Sequence, residues 1–207
     1  CIRRLVERSD GPWQVELVAG TPNKPGHDDG PATEATFTRV DSIVSNSRGT
    51  VFILDGNQCI RKFEDGQVST ITSAVSSGPH PVDGPLDKAR FHMIGLGGNL
   101  TGGENDDVLY LSDHWNFGAR RIDLKAKTVS TVAGMPKPAG KSPREKRFNS
   151  NADGPALTWA SFNSGCAYVC WDPIHRALWC GGPDEHRFRW LKDGQIRTVI
   201  GTKGDRR

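Results

Sequence analysis

Apolar residues in this chain fall into short runs closed by turn formers, as in Val51-Phe52-Ile53-Leu54, Val108-Leu109-Tyr110-Leu111 and Ala177-Leu178-Trp179-Cys180. Short, β-branched and aromatic runs bounded by Asp, Gly and Asn predict strands rather than helices. A basic–apolar run follows each one: Cys59 to Phe63, Ala119 to Ile122, and Arg187 to Leu191. A closing run comes next, at Val68 to Ile71, Val129 to Gly134, and Ile196 to Gly201. Upstream, a first strand is predicted at Ser42 to Ser45, Met93 to Leu96, and Cys166 to Trp171. The connectors Glu64-Asp65-Gly66-Gln67 and Lys192-Asp193-Gly194-Gln195 carry Asp-Gly, a strong hairpin signal. Hairpin-length connectors make neighbours antiparallel, so each unit is expected to be a four-stranded meander. The one helix-prone patch, Arg144 to Arg147, sits in a Pro- and Ser-rich connector.

These units repeat. Asp-Gly-Pro begins at Asp29, Asp83 and Asp153, and a phenylalanine follows at Phe37, Phe91 and Phe162. The chain opens with the last two runs of a further copy, Cys1 to Leu5 and Val15 to Gly20. Closing runs therefore start at 15, 68, 129 and 196, which are 53, 61 and 67 residues apart. A unit of roughly 40 to 45 residues with variable connectors accounts for this, and repeated four-stranded meanders are the blades of a β-propeller.

The ordered string of motifs resembles the NHL repeat. It runs from Asp-Gly-Pro-Ala-x-x-Ala-x-Phe through Asp-x-x-Asn-x-x-Ile-Arg-Lys to Val-Ser-Thr-Val-Ala-Gly. Asp113, Asn116, Arg120 and Arg121 match its spacing. The first copy, with Asp55 and Asn57, has one residue fewer, and the third has Gly182 and Glu185 where Asp and Asn are expected. The resemblance implies an all-β, NHL-type β-propeller. The chain is expected to supply about three and a half four-stranded blades of an incomplete ring, against six or so when complete. The expected division is 1–20 as the last two strands of a leading blade, 21–73 and 74–134 as blades, 135–201 as a blade with a basic connector at 135–151, and 202–207 as a tail. A longer protein is expected to complete the ring, with a homodimer as the alternative.

Composition narrows the classes. With 24 Gly and 13 Pro in 207 residues the chain is turn-rich. It has no apolar stretch near the ~18 residues of a membrane-spanning helix, so no membrane insertion is expected. Cys1 to Arg8 carry charges where a secretory signal needs an apolar core. A net charge of +3, from 27 basic and 24 acidic residues, does not by itself argue for nucleic acid.

Candidate chemistry is sparse. The five cysteines, Cys1, Cys59, Cys166, Cys170 and Cys180, show no short paired spacing. They read as small buried hydrophobes, and Cys166 and Cys170 are expected on one face of one strand. This usage points to an intracellular setting, cytoplasm or an organelle such as the mitochondrion. The histidines show no metal-ligand spacing, and Asn46, Asn99 and Asp172, near the ends of first strands, are the only candidates for an oxygen-ligand site. No nucleophile motif, Walker loop or nucleotide fingerprint is present, so neither a cofactor nor catalytic residues are assigned. Asp29, Asp83, Asp153, Asp55, Asp113, Asn57 and Asn116 recur by position and read as structural, with the Asp of Asp-Gly-Pro making a local Asx-turn. In each third-strand basic pair, one residue is expected to face a neighbouring blade and the other solvent or a partner. The most basic stretch carries Lys137, Lys141, Arg144, Lys146 and Arg147, the candidate docking strap. Trp115 and Phe117 are the candidate aromatic anchors. Together these point to a non-enzymatic protein-binding or scaffold module, bound to other chains within a larger assembly. The alternatives are a propeller that binds single-stranded RNA and a metal-dependent lyase or hydrolase of propeller architecture.

Overall fold

A computed structural model describes residues 1–56, 59–72, 82–91, 98–116, 118–134, 153–157, 162, 165–182 and 186–201. A leading hairpin pairs β1 (Ile2–Arg8) with β2 (Gly11–Ala19). The first sheet contains β3 (Gly30–Pro31), β4 (Val40–Ser45), β5 (Val51–Asp55), β6 (Cys59–Glu64) and β7 (Gln67–Thr70). The second contains β8 (Gly84–Pro85), β9 (Leu100–Gly102), β10 (Val108–Asp113), β11 (Gly118–Asp123) and β12 (Thr128–Ala133). The third contains β13 (Gly154–Pro155), β14 (Tyr168–Asp172), β15 (Ala177–Gly181), β16 (Phe188–Lys192) and β17 (Gln195–Ile200). A 3-10 turn, His114–Asn116, joins β10 to β11, and there is no α-helix among the described residues.

Every pairing is antiparallel, and the four longer strands of each sheet form a meander. Each sheet has five strands rather than the four expected. The extra strand is the Gly-Pro of the repeat, which lies along the closing strand: Gly30 opposite Val68, Gly84 opposite Val129, Gly154 opposite Ile196. These glycines have φ of 135°, 129° and 146°, a region glycine alone enters cheaply. The proline after each one sits at a sheet edge, where a missing N–H costs no ladder bond.

Two strand expectations need correction. The first strand of the second sheet is Leu100–Gly102, whereas Met93 to Leu96 lies outside the described residues. Leu100 is its one large apolar residue, so the segment lacks a strand-like run; pairing with Leu111 defines it. In the third sheet β14 begins at Tyr168, which leaves Cys166 before the strand and buried while Cys170 is exposed. The two thiols do not share a strand face.

Apolar side chains collect between consecutive sheets. Ile2 and Ala19 of the hairpin pack with Phe37, Ile53 and Val68 of the first unit. Phe52, Leu54 and Ile60 then meet Phe91, Leu100, Leu111 and Ile122 of the second. Val108, Tyr110 and Ala119 in turn meet Phe162, Val169, Leu178 and Cys180 of the third. Burying one such phenylalanine stabilises the fold by about 2 kcal/mol. The first strands of the sheets lie side by side. Leu100 N donates to Ser42 Oγ at 3.0 Å, and the Asn99 amide brackets Val169, accepting from its N at 2.6 Å and donating to its O at 2.8 Å. Face-to-face sheets with adjacent first strands are consistent with a propeller-like β fold.

Candidate functional site

Recurring polar residues converge inside each sheet. Asp29 accepts from Thr70 N and Thr70 Oγ1 at 2.9 and 3.0 Å and pairs with Arg61 at 2.7 Å. Asp83 does the same with Thr131 (2.9 and 3.1 Å) and Arg120 (2.6 Å). Asp153 bonds Thr198 at 2.7 and 3.0 Å and meets Arg189 at 3.4 Å. Asp-Gly-Pro therefore ties the connector to the third and closing strands, and the expected local Asx-turn is not what its carboxylate makes. Burial opposes ionisation of Asp29, but the Thr70 hydrogen bonds and the Arg61 charge outweigh it and hold the carboxyl below its usual range.

Each buried arginine also lies over the repeat phenylalanine, Arg61 on Phe37 at 5.1 Å, Arg120 on Phe91 at 5.6 Å and Arg189 on Phe162 at 5.3 Å. On the far side, Asp55 pairs with Arg61 and Asp113 with Arg120, both at 3.0 Å. Asn116 Nδ2 donates to Asp113 at 2.8 Å, and Asn57 lies outside the described residues. The third sheet has Gly182 in place of this second carboxylate. The phenylalanine spacing was visible in the sequence, but its place over the arginine was not. The recurrence of Thr70, Thr131 and Thr198 was the signal that could have identified the clamp.

These clamps are scaffolding. Arg61, Arg120 and Arg189 are all buried, and the residues that follow the first two are paired, Lys62 with Glu64 at 2.7 Å and Arg121 with Glu104 at 3.0 Å. The expected split of each basic pair is corrected accordingly. One member lies inside the clamp, and Lys62 and Arg121 are half-buried in ion pairs.

One cluster was not foreseen. His27, Asp55 and Cys59 bring their ligand atoms within 4.8 Å of one another. Cys59 Sγ is 3.9 Å from His27 Nε2, and His27 Nδ1 is 3.7 Å from Asp55. The donor set suits a cation poorly. Asp55 already holds the Arg61 guanidinium and the N–H groups of Thr38 and Arg39, and burial pushes the Cys59 thiol up to about 12. The oxygen candidates are also engaged locally. Asn46 Oδ1 accepts from Arg48 N and Thr50 N, and Asn99 bridges sheets. Asp172 accepts from the N–H groups of Ile174 and His175 and from Trp179 Nε1 and meets the His175 ring at 2.7 Å; the His175 N–H foremost, then its ring and Trp179, hold the carboxyl far below the usual range.

The most distinctive surface lies on the third sheet, on the face turned away from the second. Tyr168, Phe188 and Ile200 are 60%, 58% and 59% exposed there. Phe188 stands opposite Ile200 in the ladder. Beside them run the paired residues Cys170, Trp179, Trp190 and Arg197. The Trp179 and Trp190 rings are 5.8 Å apart, and His175 is 6.0 Å from Trp190. The preceding sheets show what this face normally meets. Ile60, Ala119 and Phe188 each precede the clamp arginine, yet Ile60 and Ala119 are fully buried by the next sheet. Phe52, Tyr110 and Trp179 are likewise equivalent, and the first two are covered. At the opposite end, the hairpin exposes Leu5, Trp13, Val15 and Leu17, with Leu5 opposite Val15.

Lys137, Lys141, Arg144, Lys146, Arg147 and Phe117 lie outside the described residues. Trp115 lies in the 3-10 turn between β10 and β11.

No protein-family model matches the chain, and no curated protein matches it. Solved structures do. An auxiliary nutrient binding protein from Bacteroides thetaiotaomicron superposes with a TM-score of 0.56 at 11% identity, covering 89% of this chain and 37% of that one. An auxiliary nutrient binding protein from Bacteroides ovatus gives a TM-score of 0.54 at 21% identity, covering 76% of this chain and 37% of that one. The chain thus spans little more than a third of the length of either protein. At such identities the likeness concerns the fold alone: this chain shares the sheet-rich architecture of these two proteins.

Proposed function

We propose that this chain is a stretch of NHL-type β-propeller acting as a non-enzymatic protein-binding and scaffold module, within a longer protein or a multi-subunit assembly in an intracellular compartment. The observation that carries this reading is the uncovered face of the third sheet. The positions of Trp179 and Phe188 are ones that the first and second sheets bury against a neighbour, and Tyr168 and Trp190 stand beside them on the same face. Exposed aromatic patches of this kind mark interaction surfaces, and aromatic anchors dominate interface energetics. The occupant is another antiparallel sheet, which presents an apolar face as the second and third sheets do. Recognition is by shape and apolar burial, with no covalent step. The fold shared with two proteins named for binding supports recognition over catalysis, as an argument from architecture.

Native mass spectrometry of the protein from its natural source tests this. A species heavier than 22.6 kDa is expected, from a companion chain or a longer polypeptide, with the third-sheet face protected from hydrogen exchange. Phe188→Asp should weaken a companion's hold or loosen the following sheet. A lone 22.6 kDa chain with Phe188 and Trp179 open to solvent refutes the proposal.

A further inference from the structure

The leading hairpin carries only the outer half of the sheet pattern. β1 repeats β6: Ile2-Arg3-Arg4 stands where Ile60-Arg61-Lys62 stands, and β2 lies along it as β7 lies along β6. In every full sheet the other edge of that strand is taken, β6 by β5, β11 by β10 and β16 by β15. β1 has no strand on that edge among the described residues. An open edge presents a row of N–H and C=O groups that an added strand can pair.

Two further observations fall on the same gap. Arg3 occupies the clamp position, yet it is exposed and has no ion-pair partner among the described residues. Arg61, Arg120 and Arg189 each hold at least one carboxylate. Leu17 stands opposite Arg3 where Thr70 stands opposite Arg61, so the threonine-bound carboxylate of the clamp has no counterpart here. What Arg3 lacks is the carboxylate that ends the second strand, as Asp55 and Asp113 do. Ile43 is the second observation. Ile53, Leu111 and Cys180 face the clamp arginines, and Ile43, Leu100 and Val169 stand opposite them in turn. Leu100 and Val169 are 4% and 2% exposed, because the first strand of the preceding sheet lies over them and bonds their N–H groups through Ser42 and Asn99. Ile43 follows a hairpin with no such strand and is 50% exposed.

We infer that the gap beside β1 receives a β-hairpin donated by a companion chain. Its outer strand pairs with β1 in the register of β5 on β6, with an Asp opposite Cys1 and apolar residues opposite Ile2, Arg3, Arg4 and Leu5. The Asp carboxylate meets Arg3 as Asp55 meets Arg61. Its inner strand covers Ile43 and presents a Ser or Asn side chain to the Ile43 N–H. Main-chain bonds supply affinity, and the ion pair with the apolar pattern fixes the register. A second folded copy has no such strand to lend, because its β5, β10 and β15 are paired on both edges. The site lies on the hairpin, apart from the partner face of the third sheet, and does not depend on it.

The free peptide Val40 to Asp55, which carries both inner strands of the first sheet in order, is the probe. Titrated into the full chain, it should bind saturably and slow hydrogen exchange across β1. Arg3→Ala, at an exposed side chain, should weaken binding several-fold. A peptide with Asp55→Asn should lose a similar factor, and the two changes together should cost little more than either, as a shared contact requires. Ile43→Lys in the chain places a charge where the inner strand must lie and should weaken binding about tenfold or more. Absence of saturable binding at millimolar peptide overturns the inference. So does binding that neither Arg3→Ala nor Ile43→Lys weakens, with protection on the third sheet instead. A natural polypeptide that fills the β1 edge with a strand of its own, with no companion present, overturns the companion chain.

Discussion

Replacing Asp55 by alanine tests the clamp at its most buried point. Arg61 uses all of its N–H donors. Nε and Nη2 reach Asp29, Nη2 also reaches Asp28 O, and Nη1 reaches Thr36 O and Asp55 Oδ2. The side chains of Arg61 and Asp55 are both 0% exposed. Asp55→Ala leaves a buried guanidinium short of half its compensating charge, a loss of about 3–5 kcal/mol. It also removes the acceptor for Thr38 N and Arg39 N, at 3.0 and 3.1 Å, so the cost should fall in the upper part of that range. Removing both charges in Asp55→Leu/Arg61→Met leaves no orphan cation, and this double variant should be more stable than Asp55→Ala by about 1–2 kcal/mol. Lys62→Met, which breaks a partly exposed pair with Glu64, is the control and should cost about 0–1 kcal/mol. Urea unfolding followed by tryptophan fluorescence reads all four proteins from their midpoints, with unchanged slopes. The reasoning fails if Asp55→Ala costs no more than the Lys62 control, or if the double variant is no more stable than Asp55→Ala.

Two further outcomes follow from the same geometry. At pH 8 a maleimide reagent should label Cys1 and Cys170, and should reach Cys59, Cys166 and Cys180 only after denaturation. With its thiol pushed up to about 12, Cys59 is thiolate in roughly one part in ten thousand at that pH, so rapid labelling there would refute its burial beside Asp55. Asp29 has a folded-state pKa below its unfolded value of about 3.9. Its pairing therefore stabilises the fold above that pH and is lost as the pH falls through the folded value. The stability gap between wild type and Asp29→Asn should be constant near neutrality and shrink below about pH 4; a gap that ignores pH would count against the clamp.

Strand content was legible because a strand buried on both faces needs consecutive apolar residues. Val51 to Asp55 and Val108 to Asp113 are recognisable from that requirement alone. The fifth strand was not, because Gly30-Pro31, Gly84-Pro85 and Gly154-Pro155 have no strand propensity and are held by the closing strand. Asp55, Asp113 and Asn116 could be read as structural from recurrence, but their partners lie on other strands. The basic strap at 135–151 and Phe117 fall outside the described residues, so the candidate site rests instead on Tyr168, Phe188, Trp179 and Trp190.

By itself the sequence determined that the chain is a repeat of short antiparallel strands, because period and turn chemistry are local and survive without knowledge of neighbours. Tertiary structure alone decided which side chains are scaffold and which are surface. Arg61 and Arg120 read in sequence only as members of basic pairs with one side inward, and become the buried centres of clamps. Trp179 and Phe188 read in sequence only as members of strand runs and become partly exposed and exposed, because burial belongs to the neighbouring sheet as much as to the residue. The same dependence holds for Trp171, whose stack on Tyr110 of the preceding sheet does not exist until two sheets face each other.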